Sequence, residues 1–226
     1  MSTPPSGPAG PVALPEFGHA FRDALRLLFI LVRGSEPLAA ELTTDTQDRV
    51  FVGEKRALAI DFWLRYPDYL ADELLDIHAE TGDPAILAAV RRIFDEDEPS
   101  VRTVWMIRWR RGAYDDLQTS LSFLAARRLV TPMRRTIPSG HQNEFLLGPL
   151  AETFLSEAVR SQPTLEWYSR QTDLALVVAA ARSGSALKDI HYEHAEYAGT
   201  PYGTAIPSIR LKVEARLREL DGGSGG

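Results

Sequence analysis

The chain of 226 residues is long enough to bury a core as one domain or two small ones, and its 44% hydrophobic and 25% charged residues give a globular balance. It has no cysteine, which excludes disulfides, thiolate zinc sites and cysteine nucleophiles, and which fits a reducing, cytoplasmic setting. A formal net charge of −6 argues against a protein that coats nucleic acid over its whole surface.

Residues 1–15, with five prolines and two glycines, carry no apolar period and read as a disordered leader. They lack the charged start and apolar core of a signal peptide. The longest purely apolar run, Leu27 to Val32, is too short to cross a bilayer, so no membrane partner is expected. Residues 16–53 form an N-terminal helix and loop: a helix from Glu16 to Val32 ending at Gly34, then an irregular stretch in which "RVFV" is a short strand.

Residues 54–160 carry the most regular pattern. Glu54 to Tyr66 is a helix with apolar positions around most of its circumference; Asp61 and Arg65 pair on the remaining face. Pro67 ends it, and Asp68 caps a second helix that runs to about Ala79. Asp83 and Pro84 open a third, followed by the acidic loop "DEDEP". Leu117, Leu121, Leu124 and Ala125 then repeat at helical spacing. A strand follows from about Leu129 to Ile137, placed at a sheet edge by Pro132. "PSG" turns the chain, and "NEFLL" returns as its partner. Gly148 and Pro149 open another helix with Leu150, Phe154 and Ala158 on one face.

Helix, two-stranded ribbon, helix is the pattern of a winged helix-turn-helix module. The expected fold is therefore mainly α: a three-helix core plus β-ribbon wing, with extra N- and C-terminal helices. The C-terminal helical region, residues 161–220, holds a helix from Leu165 to Ala181 buried nearly all round and broken at Gly184. After it come a shorter helix from Ser185 to about Ala195, a loop "YAGTPYGTAIP", and a charged helix from Ser208 to Leu220. Residues 221–226 read as a flexible tail or linker.

Charge is concentrated in the winged segment. Residues 101–141 hold eight arginines against two aspartates, a net +6, so the remainder carries −12. A positive corner on an acidic body attracts duplex DNA or an acidic protein surface equally. For DNA, the recognition helix would offer Gln118, Thr119 and Arg127, while Arg134, Arg135 and His141 on the wing and Arg108, Arg110 and Arg111 before the helix suit phosphate. Asp116 beside them would repel phosphate, which favours sequence-independent contact over base reading.

His191 and His194 in "DIHYEHAE" stand at metal-ligand spacing. They share the inward face of Leu187 and Ile190, however, and lack a third ligand, so they read as core histidines and not as a metal site. No phosphate-binding loop, dinucleotide fingerprint or nucleophile elbow occurs. The chain reads as non-enzymatic, with no cofactor and no small-molecule substrate.

"IDFWLRYPDYLADELL" (Ile60 to Leu75), "MIRWRRGAYDDLQTSLSFLAARRLV" and "LKDIHYEH", in that order, resemble the middle components of prokaryotic ABC-three-component conflict systems, the group that includes Lamassu-type anti-phage operons. Where those proteins open the helix after the wing with Thr and place Gly three residues later, this chain has Gly148 and Ala151. The resemblance spans roughly residues 55–200. It implies a non-catalytic adaptor that joins an ABC/SMC-like ATPase to a nuclease-like effector, with duplex DNA as an accessory partner. A free-standing winged-helix transcription regulator is the alternative.

Overall fold

The apolar run inside the first helix is the hub of the molecule. In this computed structural model, which describes residues 17–95, 106–108, 117–181 and 186–223, α1 (Phe17–Arg33) buries Leu27, Leu28, Phe29, Ile30 and Leu31 in succession. A consecutive run, where a surface helix would show a stripe, means neighbours on several sides. They are α2 (Glu54–Arg65), α5 (Gln118–Ala126), α6 (Pro149–Ser161) and α7 (Glu166–Ala181). The leader, the residues from 96 to 105 and from 109 to 116, the Gly184 break with its Ser185 cap, and the last three residues lie outside the described set.

α2 and α3 (Pro67–Thr81) form the centre. Ile60, Phe62, Trp63, Leu64, Tyr69, Leu70, Leu74 and Leu75 are all buried. The pair expected on the outer face of α2 is inside. Asp61, 4% exposed, accepts from Arg26 Nε of α1 at 2.6 Å and lies 3.0 Å from Arg65 Nε; Asp23 joins Arg26 at 2.8 Å. Burial opposes the charge on both Asp61 and Arg26. The opposite charges outweigh it, so the Asp61 carboxyl is held below its ordinary pKa and the Arg26 guanidinium above.

Asp68 is also corrected. α3 begins one residue earlier, with Pro67 in its first turn, and Asp68 turns its carboxylate to the far end of the chain. Its Oδ2 accepts from Ile209 N at 2.7 Å and Ser208 Oγ at 2.6 Å, ahead of α10 (Arg210–Gly223). Its neighbours do the same. The Tyr66 hydroxyl donates to Ile206 O at 3.1 Å and accepts from Met106 N at 3.0 Å, and Tyr69 Oη donates to Pro207 O at 3.1 Å. The "YPDY" break between α2 and α3 is thus a set of nails for a clasp in which residues 106–108 run antiparallel to 204–206. Asp83 caps α4 (Pro84–Asp95) as expected, accepting from Ala85 N at 2.8 Å.

The sheet is four-stranded and antiparallel in the order β1 (Glu36–Pro37), β2 (Arg49–Val52), β4 (Gly140–Leu147), β3 (Thr131–Ile137). β3 lies at the edge, where Pro132 is tolerated. "RVFV" becomes an inner strand whose Phe51 faces Phe145 across the ladder. Between α5 and β3 the chain reverses through Arg128 at φ 59; Arg128 N bonds Ala125 O and Leu129 N bonds Leu124 O, a left-handed helix end that usually takes glycine.

After the ribbon, Gly148 precedes Pro149 in α6 without side-chain capping. A Cβ there would stand 1.9 Å from the Thr46 carbonyl oxygen, so the loop before β2 occupies the place of any side chain. The face of α6 also differs from expectation: Ala151 and Leu155 point inward, while Leu150 and Phe154 point out. α7 is preceded by a single 3-10 turn and was expected to be buried nearly all round; instead it buries one stripe, Trp167, Tyr168, Gln171, Thr172, Ala175, Val178 and Ala179, and leaves Glu166, Arg170, Val177 and Ala180 exposed. The next helix stops short: α8 (Ala186–Glu193) gives way at His194 to a separate turn, α9 (Ala195–Gly199). α10 extends through Gly223, past Asp221 where a tail was expected to begin.

Candidate interaction surface

The arginines that looked like one basic corner are dispersed. Arg108 is buried. One of its terminal nitrogens donates to Ala198 O at 2.5 Å and to Thr200 O, and its guanidinium lies over the rings of Tyr192, Tyr197 and Tyr202 at 5.2–5.7 Å. It locks the clasp to α9 and is not offered to a phosphate. Arg110 and Arg111 lie outside the described residues.

The two wing arginines point to opposite sides, as consecutive strand residues must. Arg134 pairs across the ladder with Asn143, one step from Thr136 and His141, so these share the face that begins at buried Phe145. Arg135 lies on the other face with Met133, and its Nε is 2.9 Å from the buried carboxylate of Glu144. A surface that meets Arg134 and His141 does not meet Arg135. Arg127, at the end of α5, is exposed but lies over the rings of Phe21 and Phe123, at 5.4 and 6.0 Å.

Gln118 and Thr119 are exposed at the start of α5, followed on the outer side by Ser122, Ala125 and Ala126. This face carries no cation before Arg127. Of the nine residues singled out for DNA contact, Arg134 and His141 share a ribbon face, and Gln118 and Thr119 share a helix end.

Sequence reasoning missed three apolar side chains that are exposed on the ribbon and α6: Met133, Leu150 and Phe154. Met133 (38% exposed) shares its ribbon face with Thr131 and Leu146. Thr131 and Leu146 line an open cleft of about 480 Å³ that continues over Leu129 and Leu147 to Leu150, 53% exposed. One turn on along α6 stands Phe154, 40% exposed. Arg128 and Asp45 flank the cleft. The signal in the sequence is the i,i+4 spacing of Leu150 and Phe154, which identifies a face but not what covers it.

The two histidines are structural. His191 is fully buried among Phe62, Trp63 and Tyr197, with ring centroids 4.3–5.9 Å away. His194 Nε2 lies 3.0 Å from Glu73 Oε1, and its Nδ1 is 3.6 Å from Asp72 Oδ2. No group of three or more metal-ligating side chains occurs among the described residues. Burial, and secondarily His194, push the His191 pKa from 6.5 down to about 3. The unfolded chain takes up this proton below about pH 6.5 and the folded one refuses it to about 3, so this contribution is complete above 6.5 and is lost as pH falls. Urea unfolding at stepped pH is expected to show stability falling by up to about 1.4 kcal/mol per pH unit between pH 6.5 and 5. His191→Phe should flatten that limb; an equal slope in the variant would assign the proton elsewhere.

No helix among the described residues is long and apolar enough to cross a membrane. Comparison with protein-family models, curated proteins and solved structures gives no match to this chain.

Proposed function

We propose that this protein is a non-catalytic adaptor, the middle subunit of an SMC-like ATPase defence complex that links the ATPase to a nuclease-like effector. The observation that carries the adaptor reading is the open cleft floored by Leu129, Leu146 and Leu147, with Leu150 exposed at its edge and Phe154 exposed one turn further along α6. Apolar side chains left in water around a cleft suit protein contact, and DNA interfaces are polar and cationic instead.

The scaffold reading is a winged helix. It is supported by the order α1, β2, α2, then α5, β3, β4, with β2 laid against β4 and α1 packed on α5 and α2. On that reading α3 and α4 are an insertion between the second and third helices of the module. The neutral outer face of α5 and the internal use of Arg108 and Arg135 favour a wing turned to protein, with DNA as an accessory contact. The link to the ATPase rests on the order of the three sequence motifs.

The test is co-purification with an SMC-like ATPase, which the proposal expects to be encoded in the same operon. Leu150→Asp with Phe154→Asp is expected to abolish association while leaving the melting temperature unchanged, since both side chains already face water. No association of the wild-type proteins at micromolar concentration would sink the adaptor reading. For the accessory contact, weak and salt-sensitive duplex binding is expected. Arg134→Ala should reduce the slope of log affinity against log salt by about one unit. An unchanged slope assigns Arg134 to the protein interface.

A further inference from the structure

β3 is the long free edge of the sheet. The opposite edge, β1, is two residues ending in Pro37, whereas β3 runs for seven and exposes the side chains of residues 131–136. Its partner β4 shows which of its backbone groups face outward. Asn143 O accepts from Gly53 N at 3.0 Å, so Asn143 turns its carbonyl towards β2 and away from its cross-strand neighbour Arg134. Antiparallel pairing alternates. Pro132, Arg134 and Thr136, opposite Phe145, Asn143 and His141, therefore all turn their backbone groups away from β4. They present two N–H donors and three carbonyl acceptors, since Pro132 has no N–H. No backbone partner for these groups occurs among the described residues.

A row of unpaired backbone groups is a template for another strand, and the side chains beside it decide whose. A second copy of this chain is a poor fit. The two-fold register that would use all of these groups centres on Arg134 and sets it directly opposite itself, where like charges repel. Arg135, on the other face, is already engaged by Glu144 at 2.9 Å. Arg134 is exposed and makes no ion pair among the described residues. The charge at the middle of the edge is thus uncompensated, and an acidic side chain on the incoming strand answers it.

We infer that the β3 edge takes an extended, acidic segment of a partner protein as an added antiparallel strand, with a carboxylate opposite Arg134. The residue opposite Arg134 exchanges two backbone hydrogen bonds with it, the residue opposite Thr136 exchanges two more, and the residue opposite Pro132 donates one. The partner residue next to the carboxylate falls opposite Met133, 38% exposed, and is apolar. This goes beyond the adaptor reading: it requires a protein partner but neither the ATPase nor the cleft beneath Leu150.

The test uses the full chain, labelled for amide NMR, and a short capped peptide with a central glutamate between two valines and no other charge. In the free chain the amide protons of Arg134 and Thr136 should exchange rapidly with solvent, and those of Met133 and Arg135, bonded to β4, slowly. The peptide should protect the first pair. Changing its glutamate to lysine should weaken binding about fivefold, the worth of one cross-strand charge pair. Arg134→Glu should reverse that preference at an unchanged melting temperature. Methylating the backbone nitrogen of the glutamate removes the donor to Arg134 O and should abolish binding, whereas methylating that of either valine, which faces away from β3, should not. Slow exchange of Arg134 and Thr136 in the free chain overturns the proposal, because this chain or a second copy then covers the edge already. So does equal tolerance of the two methylations, which would mean charge attraction without strand pairing. Equal affinity of the glutamate and lysine peptides, or no perturbation of β3 at millimolar peptide, overturns it as well. A short duplex that protects those amides where the peptide does not would give the edge to nucleic acid. None of these readouts involves the ATPase, so failure here leaves the adaptor reading standing, and the reverse holds too.

Discussion

Replacing Asp61 with alanine is expected to lower the free energy of unfolding by about 3–5 kcal/mol, measured by urea denaturation, because it leaves two guanidinium groups in the interior without their shared anion. Arg26 and Arg65 both turn their Nε to the two oxygens of this one carboxylate, and Asp23 reaches only their outer edge. The destabilisation measures the uncompensated charge and not the net worth of the network. Replacing Arg26, Asp61 and Arg65 together with apolar residues of similar volume should therefore recover most of the loss. The folded pKa of Asp61 lies below its unfolded one, so its contribution is complete above the ordinary carboxylate range and fades as pH falls through the folded value. A loss under about 1 kcal/mol in the single variant would mean that the arginines find water, as exposed pairs do.

Gly148→Ala is the second large effect. The glycine is extended, at φ −148, so backbone strain is not the reason for it; the reason is the Thr46 carbonyl lying 1.9 Å from where a Cβ would be. A backbone atom cannot swing aside as a flexible side chain can. The variant must push apart the loop before β2 and the start of α6, with an expected cost of about 3 kcal/mol, the upper end for inserted methyl groups. If the adaptor proposal holds, partner association should fall along with the melting temperature, because the same junction borders the cleft beneath Leu150. A variant as stable as wild type would place the Thr46 loop elsewhere in solution.

Local grammar was legible where it decides geometry by itself. The "PSG" reversal, the short strand "RVFV", the Asp83–Pro84 opening and the edge position of Pro132 each rest on a few adjacent residues, and each stands as read. What the sequence hid is direction. Arg108 is claimed by carbonyls 90 and 92 residues away, and Asp68 by a backbone N–H 141 residues on; spacing within a helix carries no trace of either. Asp61 was recoverable. A helix with apolar residues around most of its circumference has no outer face left, so a charged pair upon it has to be inside. For α6 the sequence holds two regular faces, Leu150, Phe154 and Ala158 on one and Ala151 and Leu155 on the other, and the second is the one turned inward. Period identifies a stripe, but it cannot say whether the chain itself or a partner covers it.

The clasp over the α2–α3 break has a consequence for how this protein is made. Tyr66, Asp68 and Tyr69 each find a partner in residues 206–209, about 140 positions later. On a ribosome, the middle helices emerge long before the segment that seals them, and one flank of α3 waits uncovered until residues 206–209 have been made. A transcript truncated before that segment would release a chain whose ribbon elements are all present but whose central seam is open, a substrate for proteases and chaperones and not a smaller working version of the whole.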